Sequence, residues 1–194
     1  KKHGNIQVIP YNLERYISFT IRKLKFIDLM QFLHFSLDNL AKNVKHFKHL
    51  TNMYPCFEQR KPLTQKGVYP YDYFDKMEQF HEIALPSKEI FYNQLNEKGI
   101  TDKQYSHAQN IWKTFNCKTM RNYHDLYLIT DVLLLADIFE EFRSMFLSAY
   151  QLDPAHYYSL PGLSWDAMLL FTKVELELLT DPDMHKMVEV DMRG

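Results

Sequence analysis

Two cysteines in 194 residues is too few for a stapled scaffold, and Cys56 and Cys117 lie far apart without CxxC spacing. A disulfide framework is therefore not expected, and a reducing, intracellular compartment is the default. Net charge is also missing. With 23 basic and 24 acidic residues the chain carries −1, so there is no global electrostatic case for nucleic-acid binding, and any DNA site must be a local basic groove. No apolar run reaches the length of a membrane span and no stretch reads as a signal peptide. The first residue is Lys1 rather than Met and the last is Gly194, so the chain reads as a piece of a longer protein. What is abundant is core-forming material: 46% hydrophobic and 15% aromatic residues, enough to bury a sizeable core.

The stretch Tyr123 to Phe142, YHDLYLITDVLLLADIFEEF, has no Gly or Pro and is apolar on most faces. It predicts a long buried helix. Asp131 sits in its middle, although aspartate is a poor helix residue. Tyr127, Leu134 and Ile138 share its face, so the carboxylate is expected to point inward. There it needs a donor, a cation or a metal. Spacing alone favours the plainer answer, pairing with a Lys, Arg or Tyr across a groove. Asp137 lies well round the helix, nearer Glu140 and Glu141, and is expected to be a solvated charge.

Before this helix, residues 5–9, 16–21 and 24–30 read as strands, with Arg22-Lys23 as a hairpin turn. Asp28 reads as a polar residue at a strand end. Ser36 is a candidate N-cap for a helix from Leu37 to about Phe47. His46, His49 and Cys56 form an incomplete metal set and read as surface residues. Residues 51–72 carry Pro55, Pro62, Gly67 and Pro70 and no periodicity, as a long connection does. Within it, QKGVYPYDYF places Lys66 beside Tyr69, Tyr71 and Tyr73. A cation next to flat rings suits a single-stranded nucleic acid, and an ordinary tyrosine-packed loop is the alternative. Residues 86–115 read as helical, opened at Pro86-Ser87, broken by Gly99, and capped again by Thr101-Asp102, with Ile111, Trp112 and Phe115 on the buried side. Thr119 starts the central helix. After Tyr150 comes a helix over SWDAMLLFTKVELELL, with Trp165 and Met168 expected in the core.

Three of these stretches carry a resemblance. YHDLYLITDVLLLADIFEEFR, KGVYPYDYF and LPGLSWDAMLLFTKVELELLTDPDM resemble the protein-primed family B DNA polymerases of Polinton/Maverick transposons and related viruses. Tyr127-Leu-Ile-Thr-Asp131 is similar to that family's third exonuclease motif, Y-x-x-x-D, and Lys66-Gly67-Val68-Tyr69 to its K-x-x-h motif. The resemblance implies an α/β (α+β), helix-rich chain. Residues 1–150 would be the later part of an RNase H-like 3′–5′ exonuclease domain, and 151–194 a helical connection into the polymerase domain. It assigns Asp131 as a ligand of Mg²⁺ or Mn²⁺, Tyr127 as the residue orienting water or the scissile phosphate, Lys66 as a catalytic lysine, and Tyr71 as a primer contact. The S/T-L-x-x-h primer motif has two placements: Ser36-Leu37-Asp38-Asn39-Leu40, or Leu29 to Leu33 if the alignment is anchored on Asp28. Asp191-Met192-Arg193-Gly194 occupies the place of a Y-x-G-G motif, with aspartate for tyrosine, leaving Arg193 and Gly194 as candidate template contacts.

The implied partners are single-stranded primer DNA, template DNA and a terminal priming protein; the implied setting is the nucleus or a viral replication site. One carboxylate does not hold two divalent ions. The family's D-x-E motif and a second aspartate are expected before Lys1, and the polymerase aspartates after Gly194. A competing expectation is a transposon-derived, non-catalytic DNA-binding or scaffold module.

Overall fold

The computed structural model describes residues 6–12 and 15–193, except the side chain of Arg193. It is a helix-rich α+β structure. The strands are β1 (Ile6–Pro10), β2 (Tyr16–Ile21) and β3 (Leu24–Ile27), and the helices α1 (Leu37–Ala41), α2 (Lys48–Met53), α3 (Phe57–Arg60), α4 (Asp102–Thr114), α5 (Met120–Tyr150), α6 (Leu160–Thr172) and α7 (Pro182–Arg193).

Both hydrophobic clusters are arranged along α5. Its 31 residues make a rod of about 46 Å, longer at both ends than the apolar run alone announced. Asn122 accepts from the backbone N–H groups of Lys118 and Thr119 at 3.1 and 3.2 Å, closing the first turn. Gln151 ends the last turn in the left-handed region at φ 57°. The buried stripe runs Met120, Tyr123, Leu126, Thr130, Leu134, Asp137, Ile138 and Phe142, the three-and-four spacing of one helix face. Its first two-thirds meets Ala41, Leu50, Leu63, Ala108 and Ile111 in the main core. Farther along, Phe142 joins Phe32 and Leu163 in a second cluster.

The stripe is centred on Thr130, Leu134 and Asp137, and this corrects one expectation. Asp137 is 1% exposed rather than solvated. Its two oxygens accept from the backbone N–H groups of His49 at 2.7 Å and Leu50 at 3.1 Å. These belong to the first turn of α2, which has no side-chain cap of its own. A carboxylate from another helix thus satisfies donors that α2 leaves orphaned, where negative charge is favoured.

The sheet is an antiparallel meander in the order β1-β2-β3. Arg22 adopts φ 57° in the two-residue turn between β2 and β3, as a tight hairpin requires. β3 stops at Ile27, sooner than expected, because Asp28 caps a 3-10 turn over Leu29–Gln31 and accepts from Met30 N at 3.0 Å. Ser18 and Ile27 face the body. On the other face Ile6, Ile21 and Leu24 form one cross-strand row, and Val8, Phe19 and Phe26 a second; all six are open to solvent.

Ser36 does cap a helix, accepting from Asn39 N at 3.4 Å, but α1 ends at Ala41, not near Phe47. Asn43 turns its side-chain amide back onto the Asn39 carbonyl at 3.3 Å, a local competitor that stops the helix. α4 follows expectation, with a Thr101–Gln104 capping box. The helical stretch before it is only a 3-10 turn over Lys88–Phe91, followed by a tight turn bridged between Asn93 and Lys98. α6 starts earlier than expected, at Leu160, and ends at Thr172, where Lys173 takes φ 54°. Leu163 and Ala167 are its buried residues; Trp165 (54% exposed) and Met168 (39%) face away from the core, against expectation. From Leu170 to Met192 every residue is exposed.

Arg143 on α5 fixes the turn into α6. Its Nε and Nη2 donate to the two oxygens of Asp153 at 2.9 and 2.6 Å, and Ala155 N donates to the same carboxylate at 2.9 Å. The guanidinium foremost, and the backbone donor with it, lower the Asp153 carboxyl to about 2 from an ordinary 3.8. A depressed folded-state value stabilises above the unfolded value and is lost as pH falls through the folded one. Acid titration between pH 4 and pH 2 should therefore remove on the order of 1–2 kcal/mol of stability. Asp153→Asn should lack that component, measured by urea unfolding across the window; identical pH profiles for the two proteins would refute the assignment.

Candidate functional site

The loop of residues 65–71 lies against the first half of α5. Its anchor is Tyr123, whose buried hydroxyl donates to the Val68 carbonyl at 2.7 Å. At the next residue, the His124 ring nitrogen Nδ1 and the Tyr69 hydroxyl share a hydrogen bond of 2.8 Å. Tyr69 is stacked on Tyr127 at 5.0 Å between centroids and on Phe74 at 5.2 Å, so this tyrosine packs the loop. Gly67 lets the chain pass under the Tyr127 ring, since an added Cβ would sit 3.3 Å from Tyr127 Cδ2. The alternation of tyrosines in KGVYPYDYF thus sorts by task. Tyr69 packs, Tyr73 bonds to Glu82 at its hydroxyl, and Tyr71 stays 55% exposed.

This packing brings Lys66, Tyr71, Tyr127 and Asp131 together. Lys66 Nζ stands 3.7 Å from Asp131 Oδ2, a loose pair between partly exposed groups. Asp131 Oδ1 is buried and has no hydrogen-bond partner among the described residues. Asp131 sits at the edge of the buried stripe, facing inward as expected without entering the core. The Tyr71 and Tyr127 hydroxyls bond to each other at 2.6 Å. Burial first, then the bond to Tyr71 and the charge of Asp131, push the Tyr127 phenol far above its ordinary value, so it remains a protonated donor. Two hydroxyls joined by one hydrogen bond leave one proton free to donate elsewhere.

Lys66, Tyr71 and Tyr127 line one wall of an open cleft of about 450 Å³, whose other lining includes Asp38, Asn93, Asn96, Lys98 and Gln104; Asp131 stands behind this wall, against Lys66. Of the other sequence candidates, Ser36 is taken up in capping α1 and Leu37 packs against the core. Asp38, between Leu37 and Asn39, reaches the cleft, paired with Lys42 at 2.7 Å. Arg193 ends α7; its side chain and Gly194 lie outside the described residues. Sequence reasoning missed Tyr123 and His124, although both stand one turn apart from Tyr127 on the same stretch, and it missed the opposite wall, which no pattern marked. His46, His49 and Cys56 do not gather: among the described residues no group of three or more His, Cys, Asp or Glu side chains is placed to hold a metal ion.

A cation beside a carboxylate with an unpaired oxygen, next to a protonated phenol and an exposed ring, is chemistry suited to a phosphodiester and its base. The chain belongs to the type B DNA polymerases of organelles and viruses, whose family profile matches residues 2–190. Membership makes it part of DNA replication, with DNA as the substrate class and divalent metal ions as the family's cofactor. Searches among curated proteins and among solved structures return no match. The donor set fits such an ion in one respect: Asp131 Oδ1, buried and unpartnered, is suited to one coordination position.

Proposed function

We propose that this chain is the exonuclease-side segment of a protein-primed polymerase of the Polinton or viral type. It contributes part of an RNase H-like 3′–5′ proofreading site, and residues 151–194 lead toward the polymerase domain. The observation that carries this reading is the convergence of Lys66, Tyr71 and Tyr127, from stretches some sixty positions apart, on one cleft, with Asp131 paired to Lys66 beside it. A divalent ion held by Asp131, with ligands from outside these residues, would supply the charge that activates water and stabilises the leaving oxygen. The chain's own groups do the rest. Lys66 offsets the charge of the scissile phosphate. With the Tyr71 hydroxyl as donor in their shared bond, the Tyr127 hydroxyl donates its own proton to a phosphate oxygen or the attacking water. The exposed Tyr71 ring meets the terminal base. Ser36 and Arg193-Gly194 remain proposed contacts to primer and template strands, with a terminal protein as the proposed priming partner.

Residues 1–194 alone should not degrade single-stranded DNA with Mg²⁺ or Mn²⁺. A polymerase containing them should degrade a mismatched primer, and Asp131→Ala should reduce that degradation by at least about 100-fold while polymerisation persists. Degradation unchanged by Asp131→Ala would overturn the assignment, and a polymerase with no exonuclease at all would favour a non-catalytic DNA-binding module.

A further inference from the structure

The wall of the cleft opposite Lys66 belongs to neither the Y-x-x-x-D nor the K-x-x-h pattern. It is built from the turn over residues 93–98 and the first turn of α4. The turn is closed by two backbone bonds, Asn93 N to Lys98 O at 2.9 Å and Lys98 N to Asn93 O at 3.2 Å. Asp72 ties it to the Tyr71 segment by accepting from Gln94 N at 2.7 Å. The wall and the exposed Tyr71 ring are therefore one connected unit.

The side chains on this wall have spent their oxygens internally. Asn93 Oδ1 accepts from Asn96 N at 2.8 Å. Gln104 Oε1 accepts from Thr101 N at 2.8 Å and Thr101 Oγ1 at 3.0 Å. What remains for the cleft is the amide nitrogen of each, and neither has a hydrogen-bond partner among the described residues. Lys98 adds an ammonium with no carboxylate in ion-pair range among the same residues. Asp38 is the carboxylate in the lining, and Lys42 offsets it at 2.7 Å. A wall of donors facing Lys66 selects a ligand rich in acceptors and negative charge.

We propose that this wall is a second DNA-binding surface, holding the single strand one or two nucleotides back from its 3′ end. Lys98 contacts a phosphate, and the Asn93 and Gln104 amides donate to base carbonyls or sugar oxygens. This rests on the reading of the cleft as a site for a single-stranded DNA end, and adds residues that set its grip.

The test is fluorescence anisotropy of the 194-residue chain with a 5′-labelled oligothymidylate of about ten nucleotides, repeated across salt concentrations. Lys98→Ala should weaken binding about 5- to 10-fold and lower the salt slope by about 0.7, the release from one single-strand phosphate. Asn93→Asp keeps the oxygen that holds the turn but adds negative charge to the wall, and should weaken binding further. Lys98 is exposed and Asn93 half-buried at the cleft, and circular-dichroism melting provides the folding control. If Lys66→Ala weakens binding while both wall variants bind like wild type with unchanged slope, the second surface is refuted and the cleft reading stands. If the wall variants weaken and Lys66→Ala does not, the wall is supported and the role of Lys66 fails. Absence of binding by the wild-type chain overturns both.

Discussion

Asp137→Ala should cost about 3 kcal/mol of folding stability. Asp137 is 1% exposed, and its oxygens are the partners of His49 N and Leu50 N. Alanine leaves both donors buried near the core and removes negative charge from the start of α2. Asn is nearly the same size, yet its NH₂ would face one of the two N–H groups, donor against donor. It should recover less than half of the loss. Urea unfolding gives the answer directly: a shift below about 1 kcal/mol for Asp137→Ala would mean that the carboxylate is dispensable and α2 is held by Leu50 alone.

Tyr123→Ala is expected to be at least as severe, at about 3–5 kcal/mol, because it empties a large, fully enclosed site. The informative variant is Tyr123→Phe. It keeps the ring, which is tilted against Trp112 at 6.1 Å and stacked with Tyr69 at 6.4 Å. It removes only the hydroxyl that donates to the Val68 carbonyl at 2.7 Å, for a cost of about 1–2 kcal/mol. That bond seats the loop carrying Lys66 and Gly67. Tyr123→Phe should therefore weaken binding of a single-stranded oligonucleotide by more than its modest stability loss explains, at temperatures where the protein is fully folded. Wild-type affinity in the Phe variant would show that ring stacking alone places the loop.

Local signals in the sequence carried much of this fold. The cap at Thr101, the Ser36 cap and the start of the long helix at Thr119 are each written within a few residues, and each appears where expected. Lys66, Tyr127 and Asp131 were legible for another reason: they carry a family resemblance, and the structure sets Lys66 and Tyr127 on one cleft with Asp131 against Lys66. What failed was information held between segments. Asp137 looked solvated because its helix neighbours include Glu140 and Glu141, whereas its partners are N–H groups 87 and 88 positions away. Trp165 looked like core because it is large, yet α6 buries the small Ala167 and Leu163 instead. The donor wall was invisible because hydrogen bonds decide which amide atoms remain free, and sequence does not report them.

The run of exposed residues from the last turn of α6 onward has a practical consequence for handling the protein. From Leu170 to Met192 no side chain is buried, so opening this arm forfeits almost no packing. Lys173, at the left-handed end of α6, is the first basic residue after the helix. Brief digestion with a protease that cuts after lysine should find that bond early and leave the cleft, α5 and both core clusters intact. The trimmed product then separates contributions of the arm from those of the cleft without altering any residue in the site.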